Sequence, residues 1–320
     1  MGDVIKLFTY DEMESEFHKH FQQYKVCKQK AFYFGEGAEL YLKISGAKTD
    51  LFVEQEDLYH GFLQDNIDIT KDEFVIISLG CADARKEKVM LERLSRDSDK
   101  VSFIGVDSSE EMICIAKETL KESPVSCEFI CADFSSDEFI KRIHAVTQGK
   151  IRIFTFLGST FGNVEQSYMA DMLYDLLEKG DKLWLEVAVR ESISDKADRK
   201  FFENYLSWFD NEVTRDFLLH PLKLLGVPLD SGELFLNMAA EGDLNALLFS
   251  FRFRIDTKTV IEFDEHTVTL LPGNVIELLT IRAYDPQGLR NFFEERNFKF
   301  LAYKKCAGKT ERGEFMFEKL

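Results

Sequence analysis

The chain has 320 residues, enough for one large domain or two ordinary ones, and its 45% hydrophobic and 30% charged content belongs to a folded globular protein. Its 57 acidic against 40 basic residues give a net charge of −17, which speaks against nucleic acid as a partner, because phosphate binding needs clustered Lys and Arg. No apolar run approaches the roughly 18 residues of a membrane span. The opening MGDVIKLFTYDEMESEF carries acids where a signal peptide would carry bases, so a cytoplasmic protein without membrane attachment is expected. The six cysteines (Cys27, Cys81, Cys114, Cys127, Cys131, Cys306) form no CxxC pair and read as buried free thiols. His18 and His20 read as solvent-exposed helix residues, since i and i+2 do not share a helical face, and no zinc site is expected.

From about Asp72 the pattern is β–α–β. FVIISL (74–79) is a short continuous apolar run, as in a strand buried on both faces of a parallel sheet. A helix through VMLERLSR follows, then a strand VSFIGVD (101–107) and a helix SSEEMICIAKETLKES with Ser108 and Ser109 as cap candidates. SCEFICAD, RIFTFLG (152–158) and DKLWLEVAV (181–189) read as further strands. The helix SYMADMLYDLLEKG between the last two is expected to end at a C-cap Gly180. Farther on, SFRFRID and TVIEFDEH read as a β-hairpin. FKFLAYKKC and FMFEKL, joined by a Gly-containing turn, read as a C-terminal antiparallel hairpin. A doubly wound α/β sheet closed by such a hairpin is the layout of class I S-adenosylmethionine methyltransferases, a Rossmann-like fold.

Ligands of open α/β sheets bind at the carboxyl ends of the strands. The first strand ends in GCADARK, where Gly80 and Ala82 let the backbone approach a ligand. The second ends in Asp107-Ser108, an acid able to accept both ribose hydroxyls of an adenosine. The third ends in Asp133-Phe134, an acid for an adenine amino group beside an aromatic for its ring. The fourth ends in FLGSTFGN, with Gly158, Ser159 and Asn163. GCADAR lacks the three glycines of G-x-G-x-x-G and the chain has no phosphate-binding loop, so S-adenosylmethionine, which carries no pyrophosphate, is the expected cofactor.

At these residues the sequence resembles the histidine-specific, S-adenosylmethionine-dependent methyltransferases, the type that forms histidine betaine in ergothioneine biosynthesis. The resemblance rests on FLGSTFGN and GDKLWLEV, on KAFYFGEGAELYLKIS and SLGCADARK, on VDSSEEMI and ADF, and on the distal LPGNVIELLTIRAYDPQGLRNFFEERNFKF. It implies a methyltransferase domain of residues 55–192 and 285–320. A discontinuous α+β acceptor-binding domain of residues 1–54 and 193–284 would complete the chain. By position, Gly80, Lys86, Asp107, Asp133 and Phe134 match cofactor contacts, with Lys86 a cation for the methionine carboxylate. Asn163 and Tyr33 match residues that hold the amino-acid acceptor; Asn163 reads equally as a helix N-cap, and Tyr33 alternatively as core.

The chain departs from the family on the acceptor side. Asp50 or Leu51 replaces an acceptor-binding tyrosine, and Tyr205 lies near the position of another. Leu279 stands where the family has the acid that reads the imidazole, and Ile281 where it has a serine. Two apolar side chains cannot hydrogen-bond an imidazole, so the expected activity is N-methylation of a small amine or amino-acid-derived acceptor other than histidine. A cofactor-binding domain without turnover is the alternative. The 30 phenylalanines read as core, or as the lining of an apolar acceptor pocket.

Overall fold

A computed structural model describes residues 4–46, 62–63, 65–67, 73–158, 160–190, 199, 202–203, 207, 211–242, 244–263, 266–306 and 312–320. The chain opens with β1 (Ile5–Lys6), α1 (Tyr10–Tyr24), a 3-10 turn (Gln29–Tyr33) and α2 (Glu36–Gly46). There follow β2 (Phe74–Leu79), α3 (Arg85–Asp97), β3 (Val101–Asp107), α4 (Glu110–Thr119), β4 (Ser126–Cys131), α5 (Asp137–Val146) and β5 (Ile151–Phe156). A second 3-10 turn (Thr160–Asn163) leads to α6 (Gln166–Leu176) and β6 (Lys182–Val189). The remainder is α7 (Glu212–Leu224), β7 (Gly232–Glu241), β8 (Ala246–Ile255), β9 (Thr259–Phe263), β10 (His266–Leu270), β11 (Val275–Tyr284), α8 (Pro286–Glu294), β12 (Phe298–Lys305) and β13 (Arg312–Lys319).

The strands expected from the apolar runs are present, and all six residues of β2 are buried, as a strand covered on both faces requires. Helices start where short polar side chains satisfy their first N–H groups: Ser109 accepts from Met112 in α4 and Ser136 from Phe139 in α5. The sheet runs β1-β4-β3-β2-β5-β6-β11-β8-β7, with β2 to β6 parallel and β13 antiparallel to β6 along its other edge. The C-terminal hairpin β12–β13 is therefore real and built onto the sheet. One strand joins the two halves of the molecule. β5 pairs with β6 only as far as Leu185; beyond it, on that same edge, Ala188 and Val189 pair with Ala283 and Tyr284 of β11. The second group of strands thus branches off where β5 stops, at the carboxyl rim.

Two apolar clusters clad the parallel strands, and a third is built on β8 and β11 with α7 and the first 3-10 turn. That third cluster holds Phe21, Phe32, Phe217, Phe249, Phe251, Phe253 and Phe263, so much of the phenylalanine excess is core. Five of the six cysteines are buried as expected, and Cys114 is exposed. Burial pushes the Cys131 thiol up to about 12.

Three local expectations are corrected. SFRFRID does not pair with TVIEFDEH: β8 lies between β7 and β11, and β9 pairs with β10 in a separate two-stranded ribbon. Alternation fixes which face a strand buries, not its partner. Helix α6 stops at Leu176 with Leu177 as its C-cap, and Gly180, at φ 92°, serves the turn into β6, donating its N–H to the Lys319 carbonyl. His18 and His20 are half-buried, His18 stacking on Phe263 with centroids 4.4 Å apart.

Candidate functional site: the carboxyl rim of the parallel strands

Loop one leaves β2 through Gly80 at φ +74°, in the left-handed region, and a Cβ there would stand 3.3 Å from Thr160. Ala82 and Ala84 also take positive φ, a costly conformation for residues with a Cβ. This bend aims the Ala82 N–H at Asp107 Oδ2, 3.0 Å away, while Ser109 donates its N–H to Oδ1 at 3.0 Å. Asp107 is buried at the end of β3, with half-buried Ser108 beside it. Burial pushes its carboxyl up to about 6, against the pull of the Ser109, Ala82 and Ser108 N–H groups. Each oxygen retains acceptor capacity for a hydroxyl.

Asp133 lies just past β4. Its Oδ1 accepts from the Ser135 N–H at 2.9 Å and hydroxyl at 2.6 Å, and its Oδ2 accepts from Lys30 Nζ at 2.8 Å. Burial works to raise this carboxyl; the Lys30 ammonium and Ser135 donors outweigh it and hold the group below its ordinary value. Phe134 is half-buried and meets Phe156 edge-on at 5.6 Å.

Lys86, in the first turn of α3, donates to Glu186 Oε2 at 2.6 Å, and Arg312 binds the other oxygen of that fully buried carboxylate. Lys86 Nζ lies 3.7 Å from where a Cβ on Gly158 would stand, which puts the ammonium at the end of β5. Glu314 faces Glu186 across the β6–β13 pair. One of its oxygens accepts from Trp184 Nε1 at 3.2 Å, the other has no hydrogen-bond partner among the described residues, and burial with neighbouring Glu186 pushes the group up to about 8. Ser159 lies outside the described residues.

The opposite side of the rim is apolar. Leu279 and Ile281 are buried and pair with Phe251 and Phe249 of β8. Tyr33, Tyr41 and Phe217 belong to the same cluster, Tyr33 lying edge-on to Tyr41 at 5.1 Å and to Phe217 at 5.6 Å. Burial pushes both phenols up, so they remain neutral hydroxyls. The alternate residues of β11 hold the second 3-10 turn. Thr280 Oγ1 donates to the Asn163 carbonyl at 3.0 Å, and Arg282 Nη1 donates to the carbonyls of Val164 at 2.6 Å and Gly162 at 3.3 Å. The Arg282 guanidinium also binds Glu241 through Nε at 2.7 Å and Nη2 at 3.1 Å. Asn163 is not a helix cap; the cap of α6 is Glu165, which accepts from Ser167 and Tyr168. Tyr205, Asp50 and Leu51 lie outside the described residues.

Gly80, Ala82, Lys86, Asp107, Ser108, Asp133, Phe134 and Gly158 thus gather on one side of the rim, and Tyr33, Leu279 and Ile281 on the other. Sequence reasoning gave no role to Lys30, Tyr41, Glu186, Glu314 or Arg282. For Glu186 a signal was available, since it is the one acid of KLWLEVAV; Glu314 shares RGEFMFEK with Glu318 and two basic residues, and nothing in that pattern sets it apart.

A parallel sheet with acids at the ends of its second and third strands, finished by an antiparallel hairpin, defines a class I S-adenosylmethionine-dependent methyltransferase. Residues 13–305 match the family model described as histidine-specific methyltransferase, SAM-dependent, and the chain belongs to that family. No curated protein matches it. Among solved structures it is similar to a methyltransferase from Clostridium acetobutylicum, at 13% identity and TM-score 0.44, covering 88% of this chain and 97% of that one. It is also similar to the 1,6-didemethyltoxoflavin N1-methyltransferase of Burkholderia thailandensis, at 10% identity and TM-score 0.46, covering 99% and 93% of the two chains. The magnesium protoporphyrin IX methyltransferase of Synechocystis has 11% identity and TM-score 0.45, covering 96% and 99%. No helix among the described residues is long and apolar enough to cross a membrane.

Proposed function

We propose that this methyltransferase, acting in the cytoplasm, N-methylates a small amine or amino-acid derivative whose body is less polar than histidine, and has no nucleic-acid partner. The observation that carries this reading is the apolar face of β11, where Leu279 and Ile281 pack with Phe249, Phe251 and Phe217; by the sequence resemblance these two replace the acid and serine with which the family reads an imidazole. An imidazole N–H brought against that face would lose its water without gaining a partner, at a cost of about 1–3 kcal/mol.

The donor set at the polar rim fits the cofactor. Asp107 would take the ribose hydroxyls, Asp133 the adenine amino group and Phe134 the ring. The bend through Gly80 and Ala82, with Ser108, would carry backbone against the nucleoside. Lys86 would meet the methionine carboxylate beside Gly158 and Ser159. In this division residues 55–192 and 285–320 would bind cofactor and residues 1–54 and 193–284 acceptor, with Tyr33, Asn163, Leu279 and Ile281 as acceptor residues and Tyr205 assigned there by the sequence resemblance alone.

When bound, S-adenosylmethionine supplies a methyl group on a sulfonium, already a good leaving group. The chain's own work is to hold the acceptor nitrogen in line, about 3 Å from that carbon, and to keep water out. Arg282 and Thr280 serve this by fixing the carbonyls of Gly162, Asn163 and Val164, so that Asn163 is presented on a rigid turn. Hydrophobic walls also favour the neutral amine, the form whose lone pair can attack. The test is release of S-adenosylhomocysteine across a panel of amino acids, aryl-alkyl amines and amino-acid amides. Turnover is expected with amines of apolar body, and release that stays at background with all of them would contradict the reading.

A further inference from the structure

Lys30 is an ammonium bound to Asp133 that the family's cofactor pattern, as carried onto this sequence, does not include. It sits in the 3-10 turn Gln29–Tyr33, its side chain 13% exposed, and binds Asp133 Oδ2 at 2.8 Å and Glu16 of α1. Glu16 is shared with Lys28, so α1 anchors the turn through two ion pairs. Both acceptor positions of Asp133 Oδ1 are filled by Ser135, which leaves one lone pair, on Oδ2, for any further donor. An adenine amino group at Asp133 must therefore share Oδ2 with Lys30, which sets the ammonium beside the edge of the base. An ammonium has three N–H bonds and two are used. A 3-10 helix has about three residues per turn, so side chains at i and i+3 eclipse. Lys30 and Tyr33 are such a pair, and Tyr33 packs with Tyr41 and Phe217 in the apolar acceptor-side cluster.

We propose that Lys30 is a positioning residue that completes the adenine site through Asp133 and, by sharing a turn with Tyr33, ties cofactor binding to the acceptor side of the cleft. The proposal rests on the reading that Asp133 takes the adenine amino group. Without Lys30 the Asp133 carboxylate loses the partner that orients Oδ2, and the turn loses its link to the cofactor.

The experiment is calorimetric binding of S-adenosylhomocysteine to the full chain and to Lys30→Met, Lys30→Gln, Lys30→Arg, Asp133→Asn and the Lys30→Met/Asp133→Asn double variant. With Asp133 Oδ2 no longer held for the adenine amino group, a loss of roughly tenfold is expected in Lys30→Met and Lys30→Gln. Lys30→Arg should stay within about threefold of wild type. In the Asp133→Asn background, Lys30→Met should cost less than about twofold, because it acts through the missing carboxylate. Hydrogen exchange supplies the second readout: S-adenosylhomocysteine should protect amides 29–34 in wild type and lose that effect in Lys30→Met while still protecting 80–86. Equal losses from Lys30→Met in both backgrounds, or wild-type affinity in Lys30→Met where Asp133→Asn is weakened, overturn the proposal alone. Unchanged affinity in Asp133→Asn overturns the adenine placement, and the proposal with it.

Discussion

The two sides of the rim are built in opposite ways. The side proposed to hold the cofactor is polar, and its residues come in sequence order, a group at each successive strand end, from Gly80 after β2 to Gly158 after β5. The side proposed to hold the acceptor is apolar and drawn from a 3-10 turn, α2, α7, β8 and β11, with Tyr33 and Ile281 far apart in the chain. A parallel sheet puts every strand's carboxyl end on one edge, so regular spacing in the sequence becomes contiguity in space. The acceptor face has no such rule, and Leu279 and Ile281 lie away from the strand ends; the turn that carries Lys30 and Tyr33 is where the two sides would meet.

If the two sides differ in this way, variants should sort by side. The largest effect is expected from Arg282→Ala, which leaves Glu241 without its buried guanidinium and frees the Gly162 and Val164 carbonyls. With the half-buried Glu241 partly screened by solvent, a loss of about 3 kcal/mol, mostly from the freed carbonyls, should appear in the denaturant midpoint. Asp107→Ala should weaken S-adenosylhomocysteine by roughly 100-fold, since two hydrogen bonds to a charged acceptor are lost, while circular dichroism stays that of the folded chain.

A smaller effect is expected from pH. Asp107 ionises near 6 in the folded chain, above its ordinary 3.8, and only the ionised form accepts from both hydroxyls without donating. Affinity for S-adenosylhomocysteine should therefore fall about tenfold between pH 7 and pH 5. That step should be missing in Asp107→Asn. Stability runs the other way for this group. Between pH 4 and 6 the folded state holds the extra proton, so Asp107 makes the fold more stable as pH falls through that window.

The parallel core was legible because each strand is a short apolar run with its acid or small residues at the carboxyl end, as in FVIISLG and VSFIGVD. The partner of β8 was not legible, since SFRFRID alternates equally well against any strand. Lys30 and Arg282 were hidden for another reason. A Lys or Arg in sequence looks like solvated surface, and only the fold reveals the carboxylates and carbonyls that let Arg282 be buried and Lys30 half-buried. The division of labour along β11 became readable once its pairing with β8 was known, with Leu279 and Ile281 on one face and Thr280 and Arg282 on the other.

In the proposed function, the apolar face of β11 turns the enzyme away from histidine. This is tested by initial rates of S-adenosylhomocysteine release with histidine and with the best amine of apolar body, at equal concentration and saturating cofactor. The predicted rate with histidine is below about a tenth of the other, the penalty of one unpaired buried N–H. Comparable rates would contradict the account and would mean that groups other than Leu279 and Ile281 read the imidazole.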